Sequence, residues 1–114
     1  MPETLCSTCY GSTHEGGAIL PGDAEVEALA EFFTVLGSPT RLKILLALDG
    51  GELCAGHLAQ AVSMTPSAVS NQLKALKAAR LISVRREGKM LFYSLADCHP
   101  RAIIHLAASH VSEE

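Results

Sequence analysis

An α+β fold, mostly helical with a single β-hairpin, is what this sequence predicts, on three observations. Two hydroxyl residues stand directly before prolines, Ser38 before Pro39 and Thr65 before Pro66, the pairing suited to the N-cap and first position of a helix. After Arg80 the apolar period changes: "LISVRREGKMLFYSL" places β-branched and aromatic residues on both sides of the turn "EGK", the pattern of a two-stranded hairpin. Finally, 114 residues with 48% hydrophobic content suffice for one domain with a real core.

Residues 1–22, rich in glycine and without periodicity, read as an N-terminal arm, and residues 23–114 as the folded domain. Asp23 is placed to cap a first helix running to about Leu36, with Val26, Leu29, Ala30 and Phe33 on its buried stripe. In "GSPTRLKILLALDGG", Ser38 caps a second helix, Leu42, Leu45 and Leu46 point inward, and Gly50 ends it. "ELCAGHLAQAV" forms a short third helix that "SMTP" breaks. Thr65 caps the fourth, in which Val69, Leu73 and Leu76 recur at helical spacing. Two helices joined by a tight turn make a helix-turn-helix, and the basic-tipped hairpin behind it completes a winged helix. A final helix follows, with Asp97 as its N-cap and Pro100 tolerated in its first turn.

The net charge of −3 conceals a segregation. Residues 1–40 hold six acids and no Lys or Arg, whereas residues 41–89 hold eight basic residues against three acids, a surplus of five. A solvated basic face would explain this; so would a nucleic-acid footprint. With Val69, Leu73 and Leu76 turned inward, the fourth helix offers Ser67, Ser70, Asn71, Lys74 and Lys77 to the outside. Short hydroxyls and an amide near a helix N-terminus suit base edges in a major groove, and the lysines suit phosphates. Arg85, Arg86 and Lys89 near the hairpin tip add backbone or minor-groove contacts. Two Tyr and three Phe are too few for recognition of single-stranded RNA by stacking, so duplex DNA is the better partner.

The last helix carries His99 and His110 on one face, with Asp97 and Glu113 beside them. Eleven residues at 100° each return to within about 20° of the starting direction but advance roughly 16 Å. No single ion can bridge the two imidazoles within one helix. If two such helices pack antiparallel across a twofold axis, Asp97 and His99 of one chain meet His110 and Glu113 of the other. Two imidazoles and two carboxylates then form a tetrahedral set suited to Zn(II), twice per homodimer. The alternative is that Asp97 only caps and the histidines decorate a surface; His105 points away from the seam in either case.

A second constellation joins Cys6 and Cys9, at chelating Cys-x-x-Cys spacing, to Cys54 and His57, three apart on one helical face. The arm is long enough to reach them, since 15 residues span up to roughly 50 Å. A redox role for Cys6 and Cys9 is open, although they lack the flanking strand and helix of a thioredoxin-like motif. For Cys54 alone, a buried thiol is the default. No apolar run approaches a membrane span and the N-terminus has no signal-peptide pattern. These features point to a cytoplasmic protein without membrane contact, whose cysteines serve as thiols or ligands and not as structural disulfides.

Together, "GSPTRLKILLAL", "ELCAGHLAQAV", "TPSAVSNQLKALKAARLI", "VRREGKMLFYSL" and "ADCHPRAIIHLAASHVSEE" resemble the ArsR/SmtB family of bacterial metal-sensing repressors over residues 24–114. The resemblance implies a homodimeric winged helix, dimerised through its N- and C-terminal helices, that releases operator DNA when metal binds. The family's intersubunit zinc site maps onto Asp97 and His99 with His110 and Glu113, and its arm site onto Cys6, Cys9, Cys54 and His57. Thiol-rich members often read "ELCVCDL", with cysteine where this chain has Gly56, and His57 stands where Asp is usual. Cys98, inside the terminal-helix motif, is atypical, and would either bias that site toward Cd(II) or take part in oxidation. The function expected is thus a Zn(II)- or Cd(II)-responsive repressor, with a thiol-based redox or persulfide sensor as the alternative. A zinc hydrolase is disfavoured, because protein ligands fill each proposed site and leave no position for water.

Overall fold

The computed structural model describes residues 19–113, so the candidate ligands Cys6 and Cys9 and most of the expected arm lie outside the described residues. Five helices and three short strands follow one another as α1 (Asp23–Leu36), α2 (Pro39–Asp49), β1 (Leu53–Cys54), α3 (Ala55–Val62), α4 (Pro66–Ala78), β2 (Ile82–Glu87), β3 (Met90–Leu95) and α5 (Cys98–Ser112). The expected α+β winged helix-turn-helix is present.

Local chemistry explains where most helices begin. Ser38 Oγ accepts the Arg41 N–H at 3.3 Å and Thr65 Oγ1 accepts the Ala68 N–H at 3.2 Å, each with proline at the next position. Asp97 Oδ1 accepts the His99 N–H at 2.9 Å and starts α5. The expectation for α1 needs correction. Gly22, not Asp23, occupies the N-cap, and the Gly22 N–H donates to Glu25 Oε1 at 3.3 Å. Asp23 lies one residue inside, where its charge still complements the helix dipole.

Seven side chains are wholly buried: Ile44, Leu45 and Leu48 of α2, Leu58 of α3, Val69 and Leu76 of α4, and Leu81. Around them lie Ala59, Val62, Leu73, Ile82 and Ile104, and no polar side chain is buried among the described residues. The inward face of α4 is the one its spacing predicts. On α2, however, Ile44 takes the inward place expected of Leu46, which is 52% exposed. Residues 44, 45 and 48 share one face of the helix, while Leu42 and Leu46, one turn apart, line the adjoining face.

The first helix departs further. None of its residues is buried, and the expected core stripe faces outward, with Val26 47%, Leu29 55% and Phe33 57% exposed. Phe32, Val35 and Leu36 pack on the core instead. An amphipathic stripe identifies an apolar face without saying what covers it; within one chain, only the C-terminal part of α1 finds a partner.

The sheet has one strand more than the hairpin expected. β1 joins antiparallel to β3, with Leu53 opposite Tyr93 and Cys54 opposite Phe92, giving the order β1-β3-β2. The hairpin pairs Ile82 with Leu95 through to Glu87 with Met90, closed by a two-residue loop. Gly88 there has φ +64, a conformation that favours glycine in tight hairpin turns. Because Leu58 is completely buried, Leu58→Ala should cost about 2–5 kcal/mol of folding stability. Urea denaturation checks this, and a loss below about 1 kcal/mol would contradict the packing described.

Candidate nucleic-acid interface and metal ligands

The inward turn of Val69, Leu73 and Leu76 leaves Ser67, Ser70, Asn71, Lys74 and Lys77 exposed on α4. A bracket holds this helix in place: Arg41 donates from Nε to Gln72 Oε1 at 3.0 Å and from Nη1 to the Val35 carbonyl at 3.4 Å. One guanidinium thereby ties α4 to α2 and to the end of α1. Neither Arg41 nor Gln72 was among the residues singled out by sequence, since no local pattern pairs positions 31 residues apart.

In the hairpin, successive side chains alternate between faces, and the two adjacent arginines behave differently. Arg86 and Lys89 are exposed, without an ion pair among the described residues. Arg85 is engaged: its Nε and Nη2 donate to the two oxygens of Glu52 at 2.8 and 2.9 Å, and Nη1 donates to Glu87 Oε1 at 2.7 Å. Its guanidinium carbon also lies 4.9 Å from the centre of the Phe92 ring, within range of a cation–π contact. Glu52 foremost, then Glu87, raise the Arg85 pKa, and Arg85 in turn holds the Glu52 carboxyl below its usual value. Of the three basic hairpin residues, Arg85 is the one already neutralised within the chain.

On α5, Asp97 and His99 lie together, with Asp97 Oδ1 3.6 Å from His99 Nδ1. His110 and Glu113 stand at the other end of the helix, exposed. One chain does not bring the four together, and no group of three or more potential metal ligands forms among the described residues. Helix geometry accounts for this, because eleven residues of α-helix separate the histidines by roughly 16 Å. At the start of α3, Cys54 Sγ is 3.4 Å from His57 Nδ1. Cys54 is buried and Cys98 exposed, both as free thiols.

His105 points to the body of the molecule. Its Nε2 is 2.7 Å from Asp49 Oδ2, while Arg101 Nε donates to Asp49 Oδ1 at 2.7 Å. The hydrogen bond from Arg101, followed by that from His105, holds the Asp49 carboxyl below the ordinary carboxylate range. Between α1, α2 and α5 opens an apolar groove of about 440 Å³, lined by Phe33, Leu36, Leu42, Leu46, Ile104 and Val111 among others. Val111, in its lining, is 81% exposed, and Leu106, also on α5, is 74% exposed.

Residues 38–84 match the family model described as bacterial regulatory protein, arsR family. A transcriptional repressor SmtB homolog of Synechocystis sp. is 42% identical over 89 residues, which cover 78% of this chain and 67% of that protein. The chain belongs to the arsR family of bacterial regulatory proteins. A cadmium resistance transcriptional regulatory protein CadC homolog of Staphylococcus aureus is 34% identical over 86 residues, covering 75% of this chain and 71% of that one. Among solved structures, a homodimeric winged helix-turn-helix DNA-binding domain from Mycobacterium bovis superposes with a TM-score of 0.70 at 27% identity, covering 85% of this chain and 96% of that one. This arsR-family chain is accordingly a DNA-binding transcriptional regulator and not an enzyme. Among the described residues no helix is long and apolar enough to cross a membrane.

The lowered Asp49 pKa has a defined sign in stability. A carboxyl depressed on folding stabilises fully above its unfolded value, near 3.9, and the contribution disappears as pH falls through the folded value. The stability difference between wild type and Asp49→Asn should therefore be full at neutral pH and close as the solution is acidified below about pH 4. Thermal melts of both proteins across that range test it; a pH-independent difference would show that Asp49 acts through something other than its charge.

Proposed function

We propose that this arsR-family chain is a metal-responsive transcriptional repressor, a cytoplasmic homodimer that holds operator DNA when metal-free and releases it on binding Zn(II) or Cd(II). The observation that carries this is the placing of Asp97 and His99 at one end of α5 and His110 and Glu113 at the other. They present two half-sites that one chain cannot close.

A second copy would supply the missing halves. The outward stripe of α1, the groove between α1, α2 and α5, and the exposed Leu106 and Val111 provide an apolar surface for it, and the homodimeric relative supports the same assembly. Exposed apolar patches of this kind commonly mark protein interfaces. The donor set, two imidazoles and two carboxylates, fits a borderline cation, and the CadC homolog is named for cadmium resistance. An ion held there crosslinks terminal helices of two protomers. Residues 23–114 then form the DNA-binding and dimerisation domain, and residues 1–22 an arm whose Cys6 and Cys9 join Cys54 and His57 in a second site.

For DNA, Ser67, Ser70 and Asn71 face base edges, while Lys74, Lys77, Arg86 and Lys89 meet phosphates. Arg85 braces the hairpin from behind. Release follows from linkage: metal and DNA favour different dimer geometries, so each weakens the other. A coupling of about 1–3 kcal/mol reduces operator affinity roughly 5- to 150-fold. One observation favours a second reading, sensing of oxidants or persulfide through thiols: Cys54 Sγ lies 3.4 Å from His57 Nδ1, within hydrogen-bond distance for a thiol. Mass spectrometry of thiol state alongside DNA binding separates the two readings.

Arg86→Ala or Lys74→Ala should weaken binding to every duplex alike, because phosphate contacts carry no base information. Asn71→Ala should relax preference at one base position, by about 1–3 kcal/mol. Binding to a panel of duplexes distinguishes them, and equal effects on specificity would refute this division of the surface.

His110→Ala should leave the metal-free protein folded and bound to DNA but blunt or abolish release by Zn(II), followed by fluorescence anisotropy of labelled duplex. Cys6→Ser combined with Cys9→Ser is the comparison. If that double variant ignores Zn(II) while His110→Ala responds normally, control belongs to the arm site.

A further inference from the structure

Asp49 and Glu52 stand three residues apart between α2 and β1, and each grips a cation from a different part of the molecule. Asp49, the last residue of α2, receives Arg101 Nε and His105 Nε2 on its carboxylate, and Arg101 Nη2 approaches its backbone carbonyl at 3.4 Å. Glu52 receives both Nε and Nη2 of Arg85 from β2. Between them lie Gly50 and Gly51, the latter at φ +137, a conformation that L side chains rarely adopt. Immediately beyond, Leu53 and Cys54 pair with Tyr93 and Phe92 of β3, and Cys54 is also the N-cap of α3. One short turn thus touches α5, the hairpin and the first helix of the helix-turn-helix.

On α5, Arg101 and His105 follow His99 by two and six residues. At 100° per residue they project about 200° and 240° around the helix from it, whereas His110 returns to within about 20° of it. The candidate metal ligands therefore occupy one side of α5 and the grip on Asp49 occupies the other.

We propose that the Asp49–Glu52 turn is the joint through which a displacement of α5 reaches the hairpin and the helix-turn-helix, with Asp49, Arg101, His105 and Glu52 as positioning residues for the metal response. The inference rests on the metal-responsive reading above. A change that tilts or draws α5 toward a partner pulls on Asp49 through three hydrogen bonds, two from the Arg101 guanidinium and one from the His105 imidazole edge. The turn transfers that pull to Glu52 and Arg85, and through β1 to β3. Exposed ion pairs add little to global stability, so breaking either grip leaves the fold in place.

The test uses the full chain with Asp49→Asn, Glu52→Gln and both together. The DNA is a labelled duplex selected by the wild-type protein from a random pool. Its affinity is measured without metal and with Zn(II), and zinc affinity is measured without DNA. Links in series predict that each single variant shrinks the zinc-induced loss of DNA affinity by about threefold or more, and that the double variant shrinks it no further. Zinc affinity without DNA should stay within about twofold of wild type in every variant, and DNA affinity without zinc within about twofold in Asp49→Asn; Glu52→Gln leaves Arg85 with Glu87 alone, so its zinc-induced loss is taken relative to its own metal-free affinity. Full release in either single variant, or additive effects in the double variant, would overturn the joint.

Amide hydrogen exchange of the metal-free proteins supplies a readout independent of sensing. Asp49→Asn should speed exchange at Cys54, Phe92 and Tyr93. Unchanged rates there refute the mechanical link. A wild type that ignores Zn(II) and Cd(II), with exchange still accelerated by Asp49→Asn, removes the sensor reading and keeps the joint.

Discussion

Burial of one face of α4 against α2 and α3 is the constraint on which the rest of this molecule depends. Val69, Leu73 and Leu76 meet Ile44, Leu45, Leu48 and Leu58 in a core that admits no polar side chain among the described residues. Once those apolar residues are committed, the rotation of α4 about its axis follows, and Ser67, Ser70, Asn71, Lys74 and Lys77 can only face water or a ligand. The same core receives Leu81 and Ile82, which seat the hairpin, and Ile104, which seats α5. The candidate DNA surface and the candidate metal helix are therefore both set by one cluster of aliphatic side chains.

The parts legible in the sequence were those governed by near neighbours. Helix starts at Ser38, Thr65 and Asp97 were readable because a cap and the N–H that donates to it lie within three residues, and the face of α4 because helical period alone determines it. What escaped was set at long range. β1 is only two residues long and has no period of its own; it exists because β3, some forty residues later, offers a free edge. The pairing of Arg85 with Glu52 and that of Arg41 with Gln72 are equally invisible locally. The apolar stripe on α1 was found, but its burial within the chain was not. Val26, Leu29 and Phe33 stay at the surface of one protomer, as suits a face whose cover comes from elsewhere.

The candidate metal residues divide along the same line. Spacing placed His99 and His110 on one side of a helix, and the structure adds what spacing omits: the opposite side of α5 is anchored, through Arg101 and His105, to the end of α2. A helix with candidate ligands on one side and a grip on the other is suited to convert a local event into movement. Family membership supplies the DNA-binding role, while the route between the two ends of the molecule is written in side chains far apart in sequence.

The engagement of Arg85 carries a consequence for how counterions enter binding. A cation already matched by Glu52 and Glu87 has no condensed ion of the nucleic acid to displace, so on the proposed footprint each protomer brings Lys74, Lys77, Arg86 and Lys89 to the phosphates. Two protomers would then release on the order of eight monovalent ions, a slope of about −7 in log affinity against log salt. On that footprint, the acidic residues that brace the hairpin would weaken the non-specific attraction between this regulator and the bulk of the chromosome.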